Sequence, residues 1–141
     1  MPPAQLVYEV TERGLVDPQR AVAVLEPLRQ AGHRIAIDDF GTGYSSLAYL
    51  KRFPVDRLKI DGVFIRELDQ DATNRAIVQS IITLADNLGM DLMAEGAETA
   101  PVIDLLAHLG CRGVQGYGIC RPIPATALTA WILARSGAAE E

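Results

Sequence analysis

The chain has 141 residues, 49% of them hydrophobic, and a formal net charge of −5 at pH 7. This length is sufficient for one domain with a sizeable core. The acidic balance argues against binding to a nucleic-acid polymer, and a phosphate ligand would need metal ions to screen the acids. No apolar run approaches the roughly 18 residues of a membrane-spanning helix, so we expect no membrane segment.

Strand-like and helix-like segments alternate along the chain. Asp17 and Pro18 are typical of the start of a first helix, and Gly32 of its end, while Pro27 should kink or shorten it. Thr99 is predicted to cap a later helix. The predicted strands are 6–11, 34–40, 57–61, 91–95 and 113–119, and the predicted helices are 17–32, about 45–52, about 73–88 (ending at Gly89), 99–110 and about 124–134.

This alternation predicts five parallel βα units, an α/β fold. The apolar character of the strands predicts that both faces of the sheet are covered. An open doubly wound sheet and part of a βα barrel both fit the pattern. Residues 1–135 are expected to form one domain, followed by a frayed tail over 136–141.

The most informative stretch is Asp38-Asp39-Phe40-Gly41-Thr42-Gly43, which follows the apolar strand residues Ile35-Ala36-Ile37. Two adjacent carboxylates repel each other and resist burial, so a chain that places them at the end of a buried strand usually needs a cation there. Gly41 to Ser46 is similar to a dinucleotide-binding glycine loop, but Ser46 replaces the third glycine and the acids would repel a pyrophosphate.

Further acids fall at the carboxyl ends of the predicted strands, where parallel sheets place their sites. Such an all-oxygen set suits Mg²⁺ or Mn²⁺. Lys59 shares a strand face with Asp61, and it would either hold a water or phosphate oxygen or form an ion pair with a neighbouring acid. Gln115 is a weaker ligand candidate. The acids at this rim are Glu9, Asp38, Asp39, Asp61 and Glu95.

The two cysteines, Cys111 and Cys120, fit reduced thiols, as expected for a cytoplasmic protein. We expect no disulfide or metal role for them, because no second Cys/His pair has zinc spacing.

Five motifs in order along the chain resemble those of the EAL domain family, the bacterial cyclic di-GMP phosphodiesterases. They extend from about Leu6 to Leu133, and one of them is ten residues long. The motifs are Glu9-Val10-Thr11-Glu12, Asp38-Asp39-Phe40-Gly41-Thr42-Gly43-Tyr44-Ser45-Ser46-Leu47, Lys59-Ile60-Asp61, Ala94-Glu95-Gly96-Ala97-Glu98 and Gln115-Gly116-Tyr117.

The resemblance implies a TIM-like (β/α) barrel, a two-metal site holding Mg²⁺ or Mn²⁺, and hydrolysis of cyclic di-GMP to linear pGpG. It implies metal binding by Glu9, Asp38 (bridging) and Asp39. It implies that Lys59 orients the attacking water or a phosphate oxygen, and that Glu95 is the general base or a further metal contact. Support for the substrate or for the loop that begins at Asp38 is implied for Asp61, Glu12, Glu98 and Gln115.

The family's Glu-Ala-Leu motif and an asparagine metal ligand have no counterpart in this sequence. Five βα units also fall short of the eight of a complete barrel. We therefore expect the C-terminal part of an EAL domain, inactive alone, that self-associates through open barrel edges. The competing hypotheses are a non-catalytic module that binds cyclic di-GMP or a protein partner, and a purely structural fragment.

Overall fold

A computed structural model describes residues 2–15, 17–43 and 50–136. Five strands form one sheet in which every pairing is parallel and the order across the sheet follows the order along the chain. The number of strands and their parallel pairing confirm the sequence prediction. The strands are β1 (Val7–Thr11), β2 (Arg34–Phe40), β3 (Arg57–Ile60), β4 (Asp91–Ala94) and β5 (Gly113–Val114).

The sequential strand order distinguishes between the two architectures that the sequence left open. A doubly wound sheet reverses its strand order at a switch point, whereas a βα barrel adds each strand beside the last. Right-handed crossovers in one direction place the connecting helices on one face of the sheet. The chain therefore has the α/β architecture of part of a TIM-like barrel, with an unclosed sheet whose edges are β1 and β5.

The helices begin and end close to the predicted positions. Asp17 accepts hydrogen bonds from the backbone N–H groups of Gln19 and Arg20, and Pro27 lies inside a helix that it does not shorten. Single 3₁₀ turns occupy Pro3–Gln5 and Glu12–Leu15. The α-helices are α1 (Pro18–Gln30), α2 (Gly62–Ile65), α3 (Ala72–Leu88), α4 (Ala100–His108) and α5 (Ala125–Ser136).

The two faces of the sheet differ, which corrects the prediction that both are apolar and covered. The helix-covered face carries the buried core residues Ile35, Ile37, Leu58, Ile60 and Ala94. The side chains that alternate with these along each strand lie on the other face of the sheet, the inner face, and they are largely polar. Arg34 and Arg57 meet Asp91 there at 3.5 and 3.3 Å.

The last strand is shorter than predicted. Residues 115–119 leave the sheet and turn, with the N–H groups of Ile119 and Cys120 donating to the carbonyl of Gly116. Val114 pairs with Ala94 and packs against the core. Val7 on β1 is 39% exposed, as expected for an edge.

Two predictions fall wholly or mostly outside the described residues. They are the short helix over 45–52, of which residues 45–49 are not described, and the tail beyond Ser136. Within the described ranges, no helix is long and apolar enough to cross a membrane.

Candidate active site

Lys59 is the centre of an ionic cluster at the carboxyl ends of the strands. Its Nζ lies 2.5 Å from Glu95 Oε1, 2.8 Å from Glu9 Oε1 and 3.0 Å from Asp38 Oδ1. These acids come from β1, β2 and the end of β4, and the parallel register places them on the inner face with the lysine. The ion-pair interpretation of Lys59 is therefore confirmed, with three partners rather than one.

Lys59 is buried among these acids, with 4% of the residue exposed. Burial by itself lowers the pKa of a lysine, but the contacts with Glu9, Glu95 and Asp38 outweigh it and raise the pKa of Lys59 above its ordinary value. One buried cation thus balances part of the negative charge that the sequence places at this rim.

Asp38 and Asp39 are adjacent in sequence but point into different surroundings. The pairing of β2 with β3 shifts its register between Ile37 and Phe40, and Asp39 adopts a left-handed backbone conformation with φ of 56°. Aspartate tolerates this region better than most residues. The irregularity separates the carboxylates, so Asp38 contacts Lys59 and Asp39 turns toward Asp61.

Asp39 and Asp61 form a second contact at this rim, between two carboxyl groups. Burial, the charge of Asp38 and a side-chain hydrogen bond with Asp61 raise the pKa of the Asp39 carboxyl. Asp61 also caps the one-turn helix α2, accepting a 2.6 Å hydrogen bond from the N–H of Val63. Sequence reasoning missed α2, although an aspartate followed by a glycine and an apolar run is a recognisable helix start.

Glu12 is buried beneath the Asp38 loop, which we define as residues 38–43. Its Oε2 accepts hydrogen bonds from the backbone N–H groups of Gly41 at 3.3 Å and Gly43 at 3.0 Å. A Cβ added to Gly43 would lie 3.0 Å from this carboxylate, so a larger residue here would push the Glu12 side chain away from the loop. These contacts agree with the supporting role that the resemblance implies for Glu12.

Gln115 and Glu98 lie further along the rim, outside the Lys59 cluster. The backbone N–H of Gln115 donates to Ala94 at 2.8 Å, and its exposed side chain lines a cavity of about 350 Å³ lined also by Tyr117, Arg121 and Trp131. Glu98 is exposed in the loop after β4, next to Gly118. Both residues therefore border the cluster from the β5 side.

The donor set of the cluster fits a hard divalent cation. All the acidic donors are carboxylate oxygens, which Mg²⁺ and Mn²⁺ prefer. Asp38 Oδ1 is buried, and its ion pair with Lys59 lacks hydrogen-bond geometry, so this oxygen retains unused acceptor capacity. Across the described ranges, no three Asp, Glu, His or Cys side chains are arranged closely enough to hold a metal, because Lys59 stands between the acids.

The fold and this rim identify the chain's family. Residues 1–122 match the model of the EAL domain, and the chain belongs to that family. The bifunctional diguanylate cyclase/cyclic di-GMP phosphodiesterase MucR of Pseudomonas aeruginosa is 46% identical over 129 residues, which are 91% of this chain and 19% of MucR. The chain thus spans about a fifth of that relative's length.

Solved structures agree with this assignment. A cyclic di-GMP complex of the P. aeruginosa MucR phosphodiesterase superposes with a TM-score of 0.87 at 46% identity, covering 91% of this chain and 52% of the other. A manganese and cyclic di-GMP complex of Klebsiella pneumoniae BlrP1 gives 0.78 at 40% identity, covering 86% and 31%. Members of the family thus bind a divalent metal together with the cyclic dinucleotide, and this chain spans about half of the solved MucR chain.

Proposed function

We propose that this chain contributes the C-terminal share of a cyclic di-GMP phosphodiesterase site that opens the cyclic dinucleotide to linear pGpG. The observation that carries the proposal is the convergence of Glu9, Asp38 and Glu95 on the buried Lys59 at the carboxyl rim. Support comes from the family and from relatives named as cyclic di-GMP phosphodiesterases. The rim is where βα barrels perform their chemistry.

In this proposal Glu9, Asp38 and Asp39 hold Mg²⁺ or Mn²⁺. Bound divalent ions lower the pKa of an attacking water and stabilise the leaving oxygen of the phosphodiester. Glu95 accepts the proton of that water, and Lys59 orients the water or a phosphate oxygen. Glu12 and Asp61 hold the Asp38 loop and its Asp39 carboxyl in place, while Glu98 and Gln115 border the substrate from the β5 side.

The isolated 141-residue chain should be a poor catalyst, since two ligands expected from the family have no counterpart in it. Incomplete ligand shells cost activity, so we expect turnover at least about 100-fold below that of an intact EAL domain. Chromatographic detection of pGpG after incubation with cyclic di-GMP and Mn²⁺ measures it. Turnover equal to that of the intact domain would contradict the proposal that this chain holds only part of the site.

One observation favours a second candidate function. Lys59 occupies the position between three carboxylates where a metal would otherwise stand. A site neutralised in this way would bind cyclic di-GMP without cleaving it, as a regulatory module. Calorimetric binding of cyclic di-GMP by the chain that is unchanged on removal of divalent ions by EDTA, without pGpG, supports this alternative.

We also propose that the chain self-associates in a reduced, cytoplasmic setting. The edge strand β1 leaves Leu6, Val7 and Tyr8 between 39% and 42% exposed. Unpaired edges of a sheet are templates for pairing with another chain. Cys111 and Cys120 are free thiols, which agrees with a reducing compartment.

A further inference from the structure

The one-turn helix α2 lies between the two acidic loops of the site. One is the Asp38 loop, and the other is the Glu95 loop, which we define as residues 95–98. Gly62 at the start of α2 faces the Glu95 loop, and Phe64 in the same turn faces the Asp38 loop. A single rigid turn therefore contacts both segments that carry the proposed catalytic acids.

The contact with the Glu95 loop is backbone against backbone. A Cβ added to Gly96 would lie 3.1 Å from the Cα of Gly62, and one added to Gly62 would lie 3.5 Å from the carbonyl oxygen of Glu95. Backbone atoms cannot rotate out of such a contact as a flexible side chain can. The close approach of α2 to the Glu95 loop therefore depends on the absence of a side chain at Gly96, whereas a Cβ at Gly62 would make only an ordinary contact with this backbone.

The contact with the Asp38 loop is made by an aromatic ring. A Cβ added to Gly41 would lie 3.1 Å from Cε2 of Phe64, so the ring rests directly on the loop backbone. Asp61, which caps α2, also hydrogen-bonds to the side chain of Asp39. Movement of α2 would thus be transmitted to Asp38 and Asp39.

The Lys59 ammonium is sensitive to the separation of these loops because it contacts both. It lies 3.0 Å from Asp38 Oδ1 on one side and 2.5 Å from Glu95 Oε1 on the other. Hydrogen bonds and ion pairs at these distances weaken when a partner moves by a few tenths of an ångström. A change in the separation that α2 imposes on the two loops would therefore weaken the ion pairs of Lys59 with Asp38 and Glu95.

We propose that α2 is a spacer that fixes the separation of Asp38 and Glu95, with Gly62, Phe64 and Gly96 as positioning residues for the site. The inference deepens the proposed function and rests on it for its catalytic meaning. Its structural content stands on the contacts alone, so it is testable without turnover. The ¹⁵N-detected NMR signal of the Lys59 ammonium, assigned by its loss in Lys59→Met, reports the spacing.

The first test compares two glycine substitutions with the same backbone cost. Gly96→Ala places a methyl group against Gly62 at a φ of +69°, whereas Gly110→Ala meets nothing within 4 Å at a φ of +91°. Both variants place an alanine in a backbone conformation with positive φ, which costs conformational free energy in each. We expect Gly96→Ala to shift or broaden the Lys59 signal and Gly110→Ala to leave it as in the unsubstituted chain.

A second variant approaches the same contact without backbone strain. Gly62→Val adds bulk toward the Glu95 carbonyl from a residue whose φ is not left-handed, and we expect it to shift the Lys59 signal as Gly96→Ala does. Mn²⁺ affinity should fall about 10-fold in both variants, as for residues that orient ligands. A shifted signal without any Mn²⁺ binding by the unsubstituted chain would refute the proposed metal site and leave the spacer standing.

Two results would overturn the spacer. One is a Lys59 signal that is unchanged in both Gly96→Ala and Gly62→Val, or equally changed in Gly110→Ala. The other is loss of folding in both variants while Gly110→Ala stays folded, because the contact would then serve the whole fold rather than the position of the acids.

Discussion

The carboxylate of Glu12 accepts a hydrogen bond from the backbone N–H of Gly43 at 3.0 Å and so ties the end of β1 to the loop after β2. The same oxygen accepts from Gly41. One buried side chain therefore satisfies two backbone donors that the turn leaves without strand partners. This relationship connects a residue of the first motif to the loop that carries Asp38 and Asp39.

Replacing Glu12 by an apolar residue should destabilise the chain. Glu12→Leu leaves two partly buried N–H groups without acceptors, and we expect the free energy of unfolding to fall by about 1–3 kcal/mol. Urea denaturation followed by circular dichroism measures it. Glu67→Leu, at an exposed position, is the matched control and should change stability far less. Equal losses in the two variants would contradict an anchoring role for Glu12.

The raised pKa of Lys59 predicts a loss of stability at high pH. The unfolded chain releases this proton near the ordinary lysine pKa of 10.5, while the folded chain keeps it to higher pH. The ion pairs therefore contribute fully below pH 10.5, and their contribution declines as the pH rises above it.

Urea titrations from about pH 9 to about pH 12, which bracket the ordinary lysine pKa, test this prediction. The free energy of unfolding should fall more steeply with pH in the unsubstituted chain than in Lys59→Met. Parallel pH profiles would show that the cluster does not hold the proton of Lys59. Comparison of the two profiles cancels the titration of the tyrosines and of the one other lysine in the sequence, Lys51.

Asp38 should dominate divalent metal binding by this chain. Asp38→Asn removes the negative charge from the one buried carboxylate oxygen of the cluster that lacks a hydrogen bond, so Mn²⁺ affinity measured by calorimetry should fall. Residues around a metal typically change its affinity by about 10–100-fold. Asp104→Asn, an exposed aspartate on α4, is the control and should bind as the unsubstituted chain does. Undiminished binding by Asp38→Asn would rule out Asp38 as a ligand.

The open edge of the sheet should cause association. Light scattering behind a sizing column should give a mass above the 15.2 kDa of one chain. Val7→Lys places a charge on the exposed edge strand and should shift the equilibrium toward the monomer, because lysines on edge strands block pairing.

Val63→Lys changes a valine that is more exposed, at 55%, and lies away from that edge, and it should leave the mass unchanged. A folded monomer of the unsubstituted chain at micromolar concentration would refute association through the sheet edge.

The sequence predicted the strands well because short segments rich in apolar residues alternate with segments that carry helix caps and glycine stops, as at Asp17 and Gly32. It failed at β5, where residues 115–119 have strand-like composition but Gly116 turns the chain against the loop at Ala97. A Cβ on Gly116 would lie 2.3 Å from the Ala97 carbonyl oxygen, a tertiary contact that no local pattern reveals.

The sequence predicted which residues belong to the site but not how their side chains are arranged. Parallel strands bring Glu9, Asp38 and Glu95 to one rim, which the sequence shows. The separation of Asp38 from Asp39 depends on a register shift and a left-handed residue, and these follow from pairing between β2 and β3. The burial of Lys59 among three acids likewise depends on the polar inner face of the sheet. The apolar pattern of the strands predicted that both faces are apolar and so did not reveal this face.

The sequential strand order also has a consequence for how the chain folds. Within the described residues, each strand pairs through backbone hydrogen bonds only with its neighbours along the chain, and the largest sets of contacts join β1 to β2, β2 to β3 and β3 to β4. Such a molecule resembles a linear array, in which structure nucleates in any adjacent pair and propagates outward. Hydrogen exchange should therefore be slowest in β2 and β3 and fastest at the two ends, so that the Asp38 and Lys59 strands outlast the flanking Glu9 strand during partial unfolding.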